Sequence, residues 1–152
     1  MWSATCGGFG QRRIVVCAAP SAVDSILLDT DVLIWYLRGR EPIKAWVHEV
    51  GSLDVPRCSA LSVTEVVAGM RPREEPTTRE FLESLAVVDV DREIAWLAGE
   101  LIQDHGRRGL ILDFVDATIA ATCLRHDLAL ATYNARHYPI RGLRFAHGPF
   151  SG

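Results

Sequence analysis

The sequence predicts an α/β domain with a parallel sheet and helices on its faces. Two observations carry that expectation. Short apolar runs alternate along the chain with longer segments whose apolar residues recur at helical spacing. In addition, four acidic or amide residues lie far apart, each just beyond a strand-like run or at a helix start: Asp29, Glu65, Asp116 and Asn134. Ligands of parallel sheets bind beyond the carboxyl ends of the strands. All four placements are compatible with one such edge.

The elements follow in order. Residues 25–28 read as a buried strand ending at Asp29, and 31–37 as a helix closed by Gly39. Residues 42–50 form a second helix with Pro42 in its first turn, where the missing N–H does no harm. A strand over 54–59 precedes a helix over 62–70, which Pro72 stops. A helix over 77–85 and a strand over 86–90 come next. Residues 92–105 form a strongly amphipathic helix with Ile94, Leu97, Leu101 and Ile102 on one stripe. An apolar helix over 114–125 leads into a strand over 128–132, and 143–146 reads as a short edge strand.

The chain has 152 residues, 49% of them hydrophobic, which suits one domain with a real core. That domain is expected over residues 25–148. Residues 1–24 read as an extension, either disordered or lying before the true translation start near Val23. Arg12 and Arg13 precede a run of only about six apolar residues, short of the ~7–15 a secretory signal needs. Recovery of native peptides covering Trp2 to Arg12 by mass spectrometry would refute the late start. Cys6, Cys17, Cys58 and Cys123 form no CxxC pair and no zinc spacing, so a reducing, cytoplasmic compartment is expected. No apolar run reaches the ~18–20 residues of a membrane span.

The net charge is −3, which argues against a basic nucleic-acid binder. A nuclease is still open, because bound cations and local arginines offset the deficit. Of the 16 basic residues only Lys44 is lysine. Arginine suits bidentate phosphate contact, although coding bias in a GC-rich genome produces the same skew. Arg38, Arg40, Arg71 and Arg73 are candidates for a cleft border, with solvated surface the plainer reading.

Each candidate site residue also has a purely structural explanation. Asp29 suits an N-cap as well as a ligand. Ser62 and Glu65 match a capping box. Asp113 suits the cap of the next helix, with Asp116 in its first turn, where a carboxylate matches the helix dipole. Small residues after Asp116 let that helix lie close to the sheet. Asn134 suits a turn. Thr132 is placed to orient a carboxylate or a water, and Thr30 and Asp31 to steady Asp29. His48, His105, His126, His137 and His147 read as surface or helix-end residues, and Trp46 and Trp96 as core or interface.

Three segments resemble the PIN-domain ribonucleases in order and spacing, and most closely the VapC-type toxins of toxin–antitoxin pairs. They are SILLDTDVLI, SALSVTEVVAG and DATIAATCLRHDLALATYNARHY, and the resemblance covers roughly Ser25 to Ala146. It implies a three-layer α/β/α domain around a central parallel sheet. It implies a Mg2+- or Mn2+-dependent endoribonuclease that dimerises and is silenced by a cognate antitoxin, often one placing an arginine near the acidic cleft. The family's acidic ligands would fall on Asp29, Glu65 and Asp116, which are therefore the implied catalytic and metal-binding residues. The fourth position, often Asp, falls on Asn134. The position two after the first Asp, often Asn, is Asp31. Asp31, Asp113 and Thr132 join Asn134 as candidates for a fourth site or a supporting role.

The expected chemistry needs no side-chain nucleophile. Clustered carboxylates repel unless a cation compensates them. A bound cation activates water for in-line attack on phosphorus. Two rivals stand beside this. Asp29-Thr30-Asp31 also fits a phosphatase of the haloacid-dehalogenase type, with Asp29 as nucleophile and Asp31 as acid. Its supporting lysine is lacking, since Lys44 comes too early. The other rival is a non-catalytic PIN-like domain that binds RNA or protein.

Overall fold

The computed structural model describes residues 24–150. The expected extension therefore lies outside the described residues except for Asp24. In chain order the elements are β1 (Ile26–Leu28), α1 (Thr30–Leu37), α2 (Glu41–Gly51), β2 (Arg57–Ser59), α3 (Ala60–Gly69), α4 (Glu75–Glu83), β3 (Ala86–Val88), α5 (Arg92–Arg107), α6 (Phe114–His126), β4 (Ala129–Ala131) and β5 (Arg144–Phe145). Two 3-10 turns, Pro72–Glu74 and Ala135–His137, have no counterpart among the expected elements.

All five strands run parallel in the order β3-β2-β1-β4-β5. Side chains of a strand alternate between faces. Leu27 and Leu130 accordingly meet Ile94 and Ala98 of α5 and Ile119, Ala120 and Cys123 of α6. Leu28, Cys58 and Ala131 meet Val32 and Leu33 of α1, Ile43 and Val47 of α2, Val66 of α3 and Phe81 and Leu82 of α4. The sheet is thus covered on both sides, and the expected three layers are present. Leu27, Leu28, Leu33, Ile94 and Leu130 are fully buried. Each such side chain contributes about 1.5–3 kcal/mol.

Helix α6 is buried along most of its length, including Thr118 and Thr122. Their hydroxyls donate to the carbonyls of Phe114 and Thr118 one turn back, both at 2.8 Å, so no polar atom is stranded. Ala117, Ala120 and Ala121 let this helix pack closely.

Several boundaries move for physical reasons. The strand expected over 54–59 keeps only Arg57–Ser59, because Asp54 accepts from Ser25 Oγ (2.8 Å) and Arg57 Nη1 (2.7 Å) and Pro56 has no N–H. The helix expected from residue 77 begins at Glu75, with Pro76 in its first turn. Helix α3 starts at Ala60, because Ser59 is its N-cap and accepts from the Leu61 amide at 3.2 Å. The capping box of Ser62 with Glu65 does not form: Ser62 Oγ is buried inside the helix without a partner. His105 stands in the last turn of α5, a helix-end residue as expected, but it is buried. It is 3% exposed, with Nδ1 2.8 Å from Leu101 O and Nε2 3.2 Å from Pro139 O. Trp96 is not core, being 71% exposed, whereas Trp46 packs edge-on against Phe150.

Candidate metal centre

The strand order reverses at β1, which has β2 on one side and β4 on the other. Such a switch point opens a crevice beyond the strand ends. Leu28 pairs with Ala131, and the Asp29 amide extends the ladder by donating to Ala131 O at 2.9 Å. Asp29 and Thr132 thus leave adjacent strands side by side.

Asp29 is 7% exposed and is the N-cap of α1. Its Oδ1 accepts from the Thr30 amide and its Oδ2 from the Tyr138 hydroxyl, both at 2.8 Å. Capping and site membership are both compatible with this geometry. Burial raises its pKa, opposed chiefly by the Tyr138 hydroxyl, with Thr132 and the Thr30 amide also favouring the ionised form.

Asp116 lies in the first turn of α6 and is partly buried, with its Oδ2 3.9 Å from His137 Nδ1. Burial raises its pKa first, and the charges of Asp29 and Asp113 raise it further. The Tyr138 hydroxyl, which donates to Asp29, also lies near enough to favour ionisation of Asp116. Asp113 is exposed and caps α6, accepting from the Val115 amide at 2.9 Å.

Glu65 is exposed on α3 and joins the group through Thr30, whose hydroxyl donates to Glu65 Oε2 at 2.5 Å. Asp31, Thr132 and Asn134 form a separate knot. Asp31 Oδ2 accepts from Thr132 Oγ1 (3.2 Å), the Tyr133 amide (3.0 Å) and Asn134 Nδ2 (3.0 Å). The Asn134 amide donates to Thr132 Oγ1 at 3.0 Å. Burial, and then the charge of Asp29, push the Asp31 carboxyl up to about 6. Its Oδ1 is buried with no hydrogen-bond partner.

Asp29, Asp31 and Asp116 therefore gather at one edge, with Asn134 and Thr132 beside them. Glu65 is linked through one hydroxyl, and Asp113 stands outside as a cap. Oxygen donors alone, with mutual repulsion and one orphaned oxygen, suit a hard cation. Among the described residues no three His, Cys, Asp or Glu side chains converge closely enough to hold a metal ion.

Sequence reasoning missed Tyr138 and the Thr30–Glu65 link. Tyr138 lies 109 residues from Asp29, and no local pattern marks the contact. For the phosphatase reading, the lysine of the chain, Lys44, lies on α2 and pairs with Glu41 at 3.6 Å. Arg38, Arg71 and Arg73 are exposed, as the plainer reading expected. With Glu65, Ile34 and Met70 they line a groove of about 700 Å³. Arg40 instead stacks over Trp35 (4.9 Å) and Tyr133 (5.3 Å).

A parallel three-layer fold with carboxylates at its switch point defines a class of metal-site α/β domain. The PIN domain family model matches residues 26–143, and the chain belongs to that family. It is similar to Ribonuclease VapC10 of Mycobacterium tuberculosis, 34% identical over 115 residues, spanning 76% of this chain and 86% of the relative. Among solved structures it resembles a toxin–antitoxin complex from Klebsiella pneumoniae at 27% identity and TM-score 0.66, covering 82% of this chain and 99% of that one. DNA-bound VapBC from Salmonella typhimurium shares the fold at TM-score 0.73 and 23% identity, over 80% of this chain and 96% of that one. VapC ribonucleases of the PIN family depend on a divalent metal.

Proposed function

We propose that this chain is a divalent-metal-dependent endoribonuclease and the toxin of a type II toxin–antitoxin pair. The observation that carries the reading is the meeting of Asp29 and Asp116, distant in sequence, around the Tyr138 hydroxyl at the switch point. Mg2+ is the natural cation, with Mn2+ as a working substitute, because all the donors are oxygens. Asp29 and Asp116 hold it, and Glu65 contributes from the exposed side. Asn134, Thr132, Asp31 and Asp113 support that set.

When bound, the cation polarises the scissile phosphate and lowers the pKa of the attacking water. The chain's own residues prepare that event. Tyr138 and the Thr30 amide fix the Asp29 carboxylate by donating to both of its oxygens. Thr30 holds Glu65 toward the same edge. His137 Nδ1 stands 3.9 Å from Asp116 Oδ2, beside the same edge. The arginine-lined groove beside Glu65 offers guanidinium contacts to the RNA backbone.

The partners follow from the same reading: RNA as substrate, a cognate antitoxin, and a second copy of the chain as a homodimer, all in the cytoplasm. No helix among the described residues is long and apolar enough to cross a membrane, which is compatible with that location. The test is cleavage of RNA by purified protein with Mg2+. D29N and D116N are expected to lose cleavage while keeping a folded melting profile. Undiminished cleavage by both variants overturns the assignment.

Two observations favour a second reading. The fourth acidic position is an amide, Asn134, and among the described residues no three acidic side chains converge closely enough to hold an ion. A non-catalytic domain that binds RNA or protein is therefore the alternative. A melting temperature unmoved by Mg2+ or Mn2+ would favour it. A short reading frame for a small DNA-binding protein directly upstream would favour the toxin.

A further inference from the structure

Two arginines between α1 and α2 share one aromatic bracket. Arg40 Cζ lies 4.9 Å from the ring centre of Trp35 and 5.3 Å from that of Tyr133, two rings whose planes meet at 61°. Arg38 Cζ lies 5.4 Å from the Trp35 ring centre. A guanidinium resting on an aromatic face is held in place while its N–H groups stay free for an oxyanion. Both arginines are exposed. Arg57, Arg79, Arg92, Arg107 and Arg144 are paired with carboxylates, whereas among the described residues Arg38 and Arg40 pair with none. Glu41, the neighbour of Arg40, pairs with Lys44 instead. The turn is already closed by the backbone, the Arg40 amide donating to Trp35 O at 3.1 Å. Shaping the turn therefore does not explain two fixed guanidiniums without a counterion in a chain of net charge −3.

The bracket adjoins the candidate site through both of its rings. Trp35 belongs to α1, whose first turn carries Thr30 and Asp31. Tyr133 stands between Thr132 and Asn134, and its amide donates to Asp31 Oδ2 at 3.0 Å. Arg38 also lines the groove that Glu65, Arg71 and Arg73 border. Trp35 thus joins that groove to Tyr133 in one basic track. An acidic edge repels a phosphodiester, and fixed positive charge alongside offsets that repulsion. Resting on the proposed nuclease reading, we propose that Arg38 and Arg40, set by Trp35 and Tyr133, each bind a backbone phosphate of the RNA strand next to the one that is cleaved. Arg40 carries the strand's path beyond the Glu65 groove, and Trp35 is the positioning residue for both guanidiniums. Contacts to phosphate carry no base information. This part of the site therefore binds RNA whatever its sequence.

The test is fluorescence anisotropy of labelled oligouridylate and oligoadenylate with the full chain in Mg2+, across a salt series. D116N serves as the background, because it is expected to bind without cleaving. Adding R40A or R38A is expected to lower the slope of log affinity against log salt by about 0.7, one phosphate contact on a single strand. That loss corresponds to about fivefold weaker binding near about 0.1 M salt. R38A/R40A is expected to lose about twice the slope. R40K keeps the charge and the slope but binds more weakly than the background, since it lacks the flat fork. R125A, at the far end of α6 from Asp116, is the control and is expected to leave the slope unchanged. Both probes should give the same losses. Circular dichroism establishes that each variant is folded. No binding by the background, an unchanged slope in R40A, or an equal fall in R125A or R40K overturns the proposal. The nuclease reading is judged separately, by whether D29N and D116N lose cleavage: its failure leaves these slopes in place, and their failure leaves cleavage in place.

Discussion

Replacing Asp31 with asparagine in the metal-free protein has a calculable effect on stability. Burial and the neighbouring Asp29 charge carry the Asp31 carboxyl from 3.8 to about 6. The folded state therefore holds a proton that the unfolded state has released between those two values. Stability from this group is greatest at low pH and is lost as pH rises through about 6. In full, that displacement corresponds to about 3 kcal/mol at neutral pH. The side chain is only partly buried, and solvent screens it, so about 1–2 kcal/mol is the realistic figure. The amide that D31N introduces keeps an acceptor for the three donors and removes the repulsion. In chelator at about pH 7.5, D31N is expected to melt about 3–6 °C above the wild type. Near pH 4.5 the gap should shrink by more than half, because the wild-type carboxyl is then largely protonated in the fold. Differential scanning calorimetry at the two pH values reads both numbers, and the difference between proteins cancels the other titrating groups. A variant no more stable than the wild type at high pH, or a gap indifferent to pH, refutes the reasoning.

Other predictions follow from single contacts. Y138F leaves Asp29 Oδ2 without its buried donor, so urea denaturation at neutral pH should show a loss of about 1.5–3 kcal/mol. S59A removes the true cap of α3 and should lower stability by about 1 kcal/mol, whereas S62A deletes a hydroxyl with no partner and should stay within about 0.5 kcal/mol. H105A opens a cavity and removes the ring that stands between the carbonyls of Leu101 and Pro139, for an expected loss of about 2–3 kcal/mol in the same assay.

What could be read in advance divides along physical lines. The strands at 26–28 and 129–131 were legible because both faces of a parallel sheet are buried, leaving short continuous apolar runs. The placement of Asp29 and Asp116 at one edge was legible because strand-helix alternation fixes which ends of the elements meet. The Asp113 cap was also legible, being a local feature. The α3 start was misread because Ser59 and Ser62 offer the same chemistry, and only the end of β2 decides which serine caps. Tyr138 and His105 were invisible for another reason. Each makes its defining contact with a residue 109 or 34 positions away, and local periodicity carries no information at that range. The role of Asp31 was half visible: a second acid two residues after Asp29 was plain, but its bond to Asn134 depends on β1 and β4 being neighbours.

The central claim is that Asp29 and Asp116 share a cation. Crystals grown with Mn2+ and measured at its absorption edge test it directly. An anomalous peak is expected within coordinating distance of both carboxylates, beside the Tyr138 hydroxyl. A saturated crystal with no peak between them, or with manganese bound only elsewhere, would contradict the account.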